Sequence, residues 1–239
     1  MAPQNRKKQN KRAKALQRKK TASAHTNSHA LSKTVTIAPI KDEVEVAAAN
    51  ALFHKYLTNV GEDATELVED SPGSHMWKPV ALVAYDENDQ IVGAIQSRPD
   101  LQTCERVGKI IAASGSRTIQ GQHLDWPAHA YMAAEKIRVL SHLVVVPAAR
   151  GQNIGMNLVI EAEKMERQKG AIHWMGLAEG DDENLWMFYE KLGFKITNKE
   201  NPIGIDLPIP GERIFNMVMD PGLNRTGRMF YKRFMENTW

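Results

Sequence analysis

The stretch LVVVPAARGQNIGMNLV, Leu143 to Val159, runs from unbroken apolar residues through a proline and a glycine-bearing loop into a helix. Upstream, Ile137 to Val146 is almost continuously apolar, the pattern of a strand buried on both faces. Pro147 ends it, Arg150 to Gly155 form the loop, and Met156 to Lys169 have helical spacing, with Leu158, Ala162 and Met165 on one stripe and Gly170 in the stop position. A strand feeding such a loop into a helix is a natural phosphate cradle. The first helical N–H groups lack partners within the helix, and the dipole places partial positive charge beside them. Gly151 and Gly155 permit close backbone approach, and Arg150 adds a donor fork. The spacing does not fit a P-loop, which needs Lys-Ser/Thr after its last glycine, or the G-x-G-x-x-G dinucleotide fingerprint.

Strands and helices alternate on both sides of this unit. Downstream, Ala171 to Ala178 reads as a strand, Asp181 and Asp182 open a helix running to Leu192, Gly193 stops it, and Phe194 to Ile196 begins another strand. Residues 197–211 contain Pro202, Pro208 and Pro210 and read as a loop, and Arg213 to Met219 as the last strand. Upstream, Thr34 to Ile40 reads as a strand and Val44 to Val60 as a helix. Val80 to Tyr85 and Ile91 to Gln96 form a hairpin across a polar turn. Leu101 to Ala113 is read as a helix weakened by Gly108, Gly115 to Trp126 as a loop, and Ala128 to Lys136 as a short helix. The pattern gives one α/β domain, residues 34–220, between a basic tail at 1–33 and an extension at 221–239.

The 239 residues carry 31 basic and 28 acidic side chains, but nine of the basic ones lie between Arg6 and Lys20 and no acid precedes Asp42. Setting those nine aside leaves 22 basic against 28 acidic residues, so a cationic tail adjoins a mildly acidic body. The tail has too few apolar residues to offset its ordering entropy and is expected to be disordered. It suits RNA or another polyanion, nuclear import, anionic lipid, or a plain solvated role. No apolar run reaches the roughly 20 residues of a membrane span. Cys104 is the only cysteine, which excludes intrachain disulfides and cysteine-based zinc sites. The expected setting is the cytoplasm, with the nucleus as alternative, and no metal is expected.

Leu143 to Val159 resembles the first signature of the GNAT superfamily, the acyl-CoA-dependent N-acetyltransferases: a buried strand, then Arg/Gln-x-x-Gly-x-Gly/Ala opening a helix. Arg150 and Gly155 match its first and last positions, and Asn153 stands where the family usually has a glycine, a departure eased by the tolerance of Asn for left-handed backbone. NLWMFYEKLGF, Asn184 to Phe194, resembles the second signature, a helix that carries a tyrosine and ends in Gly-Phe. The resemblance implies a mixed, mostly antiparallel central sheet flanked by helices, with its two central strands, Ile137–Val146 and Ala171–Ala178, splayed apart around acetyl-CoA. It implies pantetheine hydrogen bonds from the backbone of Leu143, Val144 and Val145, and a pyrophosphate held by Arg150, Gly151, Gln152, Asn153, Ile154, Gly155 and Met156. It also implies a sulfur contact from Tyr189, which would protonate the departing thiolate. The family's CoA-contacting asparagine falls on Asp182, so Asn184 is expected to take that contact or the contact is absent.

The base that frees the attacking amine is less legible. Ser141 shares the alternation of Val139, Leu143 and Val145 and is expected to face the acetyl group, whereas His142 is expected to point away. Glu135 lies just before the strand, and His123, Asp125 and Trp126 could shape an acceptor pocket from the preceding loop. The expected function is acetyl transfer from acetyl-CoA to an amine by direct attack in a ternary complex. The alternative is a catalytically weak binding module of the same fold, directed to RNA or another polyanion by residues 6–20.

Overall fold

The computed structural model describes residues 35–58, 60, 78–100, 105, 109, 118–119, 122–123, 136–179, 182–197, 203–209, 212–219 and 227–234, with backbone alone at 118–119, 122–123 and 203–219. All of them lie in the unit Val35–Trp239. The expected tail at 1–33, the helices read at 101–113 and 128–136, and Glu135, Asp125 and Trp126 lie outside the described residues, apart from single positions.

In chain order the elements are β1 (Thr36–Pro39), α1 (Glu43–Tyr56), β2 (Val80–Tyr85), β3 (Ile91–Pro99), the short strands β4 (Thr118–Ile119) and β5 (Gln122–His123), and β6 (Ile137–Val145). A single 3-10 turn, Pro147–Ala149, leads to α2 (Ile154–Gln168), β7 (His173–Glu179), α3 (Glu183–Lys191), β8 (Lys195–Ile196), β9 (Ile203–Ile209), β10 (Glu212–Met219) and β11 (Gly227–Arg233). Seven strands form one sheet in the order β1-β2-β3-β6-β7-β11-β8. Every pairing in it is antiparallel except β6 with β7. The mixed α/β architecture and the mostly antiparallel sheet expected from the sequence are therefore present.

Each face of the sheet is covered for a readable reason. On one side α1 buries Ala49 and Phe53 against Val83, Ala94 and Val144. On the other, Leu158, Val159 and Ala162 of α2 pack with Leu82, Ile95, Leu140 and Trp174, and Trp186 and Tyr189 of α3 join the same cluster. Asp42 caps α1 by accepting from the Glu45 N–H at 2.9 Å. α1 stops at Tyr56, four residues short of its sequence-read end, where Leu57 turns extended. A buried ion pair, Arg138 Nε to Glu166 Oε2 at 2.7 Å, fixes β6 to α2, with both side chains sealed from water; removing either partner would strand the other.

Two readings of the C-terminal region are corrected. Residues 203–209 are not loop: β9 pairs antiparallel with β10 as a separate hairpin. Pro208 falls where the register steps between Glu212 and Phe215, in a two-stranded sheet, the kind of edge and bulge position where a strand tolerates proline. Residues 227–233 are not an extension beyond the domain: β11 pairs with β7 along its whole length and with β8 on its other side. The cations that make this segment look like a solvated tail are engaged within the fold. Arg228 lies 3.5 Å over the Trp186 ring, and Lys232 donates to the Leu192 carbonyl at 2.7 Å.

Candidate active site

The two central strands part. β6 and β7 pair only from Ile137 with His173 to Leu140 with Gly176; beyond that, β6 continues along β3 alone to Val145. Ser141 to Val145 therefore present an edge with no β7 partner. α3 faces this opening with Asn184, Leu185, Met187, Phe188 and Lys191, one helical face at steps of three and four. Between edge and helix lies a cavity of about 590 Å³.

One end of that cavity is the start of α2. Asn153 precedes the helix in the left-handed region, φ 60° and ψ 12°, and Gly151 also has positive φ, 81°. The first α-helical bond is Asn157 N–H to Asn153 O, so the N–H groups of Ile154, Gly155 and Met156 face outward without helical partners. The first turn has no acidic residue, while Arg150 and Lys191 add positive charge to the walls. This end suits an anion and the apolar walls suit an attached chain. Of the residues expected here, Leu143, Val144, Val145, Arg150, Gly151, Asn153, Ile154, Gly155, Met156 and Asn184 line the cavity, whereas Gln152 does not. Arg150 turns back, its Nε donating to the Val145 carbonyl at 3.1 Å. Asn184 is held by Asp182, whose carboxylate accepts from the Asn184 backbone N–H at 2.9 Å and from Nδ2 at 3.2 Å. Lys191 went unread because α3 ends there in sequence and nothing local marks its direction.

A second cavity, about 480 Å³, opens on the other side of the splay and shares Tyr56, Leu57, Leu143 and Leu185 with the first. Tyr189, Ser141 and His142 line this one, together with Arg98 and Glu179. Glu179 Oε2 accepts from the Thr58 hydroxyl at 2.6 Å. Tyr189 is buried, its ring stacked on Phe230 with centroids 3.7 Å apart and 12° between planes. Burial pushes its phenol well above the usual tyrosine range.

The expected alternation of β6 is corrected by a bulge. The register with β3 steps from Gln96–His142 to Ser97–Leu140, leaving Ser141 as the extra residue. Leu140 and Leu143 consequently both join the cluster packed under α2, so strict alternation does not run through Ser141, which lines the second cavity. Its hydroxyl lies 3.4 Å from the Val139 carbonyl. His142 does not point away from the site. It packs on Phe53 at 4.9 Å between centroids and still lines the second cavity. Its Nδ1 is 2.9 Å from Gln96 Oε1. In this orientation of the Gln96 amide the oxygen only accepts, so Nδ1 is the donor and Nε2 the acceptor. Burial first, then the charges of Arg98 and His54, push the imidazole down to about 4. His123 lies in β5, and its side chain is outside the described residues. Among the described residues no group of three or more His, Cys, Asp or Glu could hold a metal ion, and no helix is long and apolar enough to cross a membrane.

The neutrality of His142 has a measurable cost. Its folded value lies below the ordinary 6.5, so the unfolded chain binds a proton first as pH falls. Stability is thus full above about pH 6.5 and declines towards about pH 4. Discounted for the partial exposure of the ring, the expected loss is about 1 kcal/mol. Urea midpoints of wild type and His142→Asn, compared at neutral pH and near pH 5, check this: the variant should lose less stability on acidification.

A family profile described as Acetyltransferase (GNAT) domain matches residues 72–196. Three solved structures illustrate the likeness. A GCN5-related N-acetyltransferase from Kribbella flavida is 12% identical, covering 84% of this chain and 98% of its own, with a TM-score of 0.47. An N-acetyltransferase from Thermoplasma acidophilum in complex with coenzyme A is 15% identical over 84% and 99%, with a TM-score of 0.44. A ribosomal-protein-alanine N-acetyltransferase from Brucella melitensis is 16% identical over 83% and 99%, with a TM-score of 0.46. None of the curated proteins matches the chain.

Proposed function

Because the chain belongs to the GNAT acetyltransferase family, we propose that it is an enzyme that moves an acetyl group from acetyl-CoA to an amine by direct attack. The observation that carries this reading is the meeting of two cavities at Leu143 and Leu185, one ending on the α2 N-terminus and the other lined by Tyr189 and His142. The first cavity fits coenzyme A: unpartnered N–H groups and cations for phosphates, a glycine at 155, and a free strand edge for amides. Acetyl-CoA supplies the activated acyl group.

The residues of the second cavity have separable tasks. The ammonium first releases a proton to solvent; Nε2 of the neutral His142 then accepts a hydrogen bond from the free amine and orients it, and takes the acidic proton left on that nitrogen as the new C–N bond forms. An imidazolium held so low is a strong acid and passes the proton on, to the departing sulfur or to water. Tyr189 steadies the sulfur as negative charge develops. With its phenol raised by burial it keeps its proton and acts as a hydrogen-bond donor, not as the protonating acid. Ser141, on the bulge, lines the same cavity with its hydroxyl 3.4 Å from the Val139 carbonyl.

The test is purified protein with acetyl-CoA and a panel of amines, read by thiol release. Tyr189→Phe keeps the Phe230 stack and deletes the donor, and kcat should fall roughly 10²-fold with acetyl-CoA affinity unchanged. A variant as fast as wild type, with chemistry rate-limiting, would reduce Tyr189 to packing.

A further inference from the structure

We propose that the acceptor is an amine that also carries a carboxylate, and that Arg98 is the residue that reads it. This inference rests on the acetyltransferase reading above and names the substrate class of the same second cavity.

That cavity is apolar along Leu140, Leu143, Leu177 and Leu185 but carries opposite charges on the two strands that flank β6. Arg98 stands on β3 and Glu179 on β7. The two do not pair with each other, and Glu179 is engaged by the Thr58 hydroxyl. Arg98 is exposed and has no ion-pair partner among the described residues, whereas Arg138 and Arg167 are held by carboxylates and Arg228 lies over a ring. It stands on β3 two residues beyond Gln96, the register partner of His142, and lines the same cavity as that ring.

A cation there works against the proposed chemistry unless the acceptor supplies its counter-charge. An amine enters largely as an ammonium ion, and a bare ammonium would be repelled by Arg98 while drawn towards Glu179. A carboxylate on the same molecule turns the repulsion into a charge-assisted, two-pronged hydrogen bond, while Glu179 on the far strand attracts the ammonium end. The field of the cavity thus matches a dipolar molecule in one orientation, with the anion towards β3 and the nitrogen towards the junction of the two cavities. The volume, about 480 Å³, is of the size of small-ligand sites.

Matched amine pairs test this: an amino acid, and the amine left when its carboxylate is removed, each assayed with acetyl-CoA. Wild type should favour the carboxylated member by roughly ten- to a hundredfold in kcat/KM, chiefly through KM. Arg98→Gln should bring the ratio close to one, with acetyl-CoA affinity and Tm unchanged. Arg98→Lys should keep part of the preference, since a point charge replaces the fork. Turnover of plain amines as fast as their carboxylated partners, or a preference that survives Arg98→Gln, overturns this inference alone. Failure to acetylate any amine while acetyl-CoA still binds overturns the reading on which it rests.

Discussion

Gly155→Glu is expected to abolish measurable acetyl-CoA binding in a chain that still folds. Position 155 is the second residue of α2. A Cβ there would lie 3.5 Å from Val145 Cγ2 and 3.7 Å from Phe188 Cζ, both ordinary contacts, so the backbone tolerates a side chain. Two electrostatic effects then act in opposite senses. A carboxylate in the first turn favours the helix by roughly 0.3–1 kcal/mol through the macrodipole, so folding does not suffer. The same carboxylate fills the groove between Val145 and Phe188 and meets the anionic phosphates at short range. At about 4 Å and an effective dielectric constant near 20, one such repulsion is worth about 4 kcal/mol, or roughly 10³-fold in affinity, before steric exclusion is added. Gly155→Ala is the control and should bind within a few-fold of wild type. Calorimetric titration with acetyl-CoA and a thermal melt on each protein separate binding from folding. A folded Glu variant with wild-type affinity would remove the phosphate end of the cavity from this loop.

This loop was legible because its chemistry is local. Pro147, Arg150, Asn153 and Gly155 act on their own backbone, and the turn they dictate is present down to the left-handed Asn153. The second cavity was legible only in its inventory. Ser141 and His142 stand out as polar breaks in an apolar run, but the bulge between their strand and β3 is not visible there. That bulge is set by the register with β3, at Gln96 and Ser97, 45 residues away in sequence. An apolar strand has no alternation to betray a one-residue slip, so the parity argument turned His142 away from a cavity that it lines beside Ser141. A distant partner could have hinted otherwise: Gln96 opens the polar run Gln96-Ser97-Arg98 in an otherwise apolar strand, is itself buried, and meets His142 Nδ1 with its side-chain oxygen. β11 was illegible for a different reason. Arg228 and Lys232 read as solvent-seeking until Trp186, Glu163 and the Leu192 carbonyl are brought to them by the fold. The family match also stops at residue 196, so neither signature pointed to a strand at 227–233 that completes the sheet.

That strand holds the tyrosine, and Gly176→Ala should show it. Gly176 is the last residue of β7 paired with β6, and across β11 it faces Phe230. A Cβ at 176 would fall 2.1 Å from Phe230 Cζ and 2.9 Å from the Leu140 carbonyl oxygen, so a ring on one side and a strand backbone on the other leave it no room. Phe230 cannot yield freely, because Tyr189 is stacked on it and Phe194 meets it edge-on with centroids 5.1 Å apart. Overpacking of this kind costs about 3 kcal/mol, which for a domain of this size lowers Tm by roughly 6–12 °C. Turnover should fall further than the melt alone implies. A phenol displaced by about 1 Å would leave the position proposed for it beside the sulfur, and such misplacement costs on the order of 10²-fold. Phe230→Leu separates the two effects. Added to Gly176→Ala it frees the space and should recover much of the lost Tm, yet leave kcat low, because Tyr189 has lost the ring that sets its plane. A double variant that regains both stability and kcat would show that Tyr189 is placed by α3 alone, and a Gly176→Ala protein that melts with wild type would show that β7 and β11 can move apart without cost.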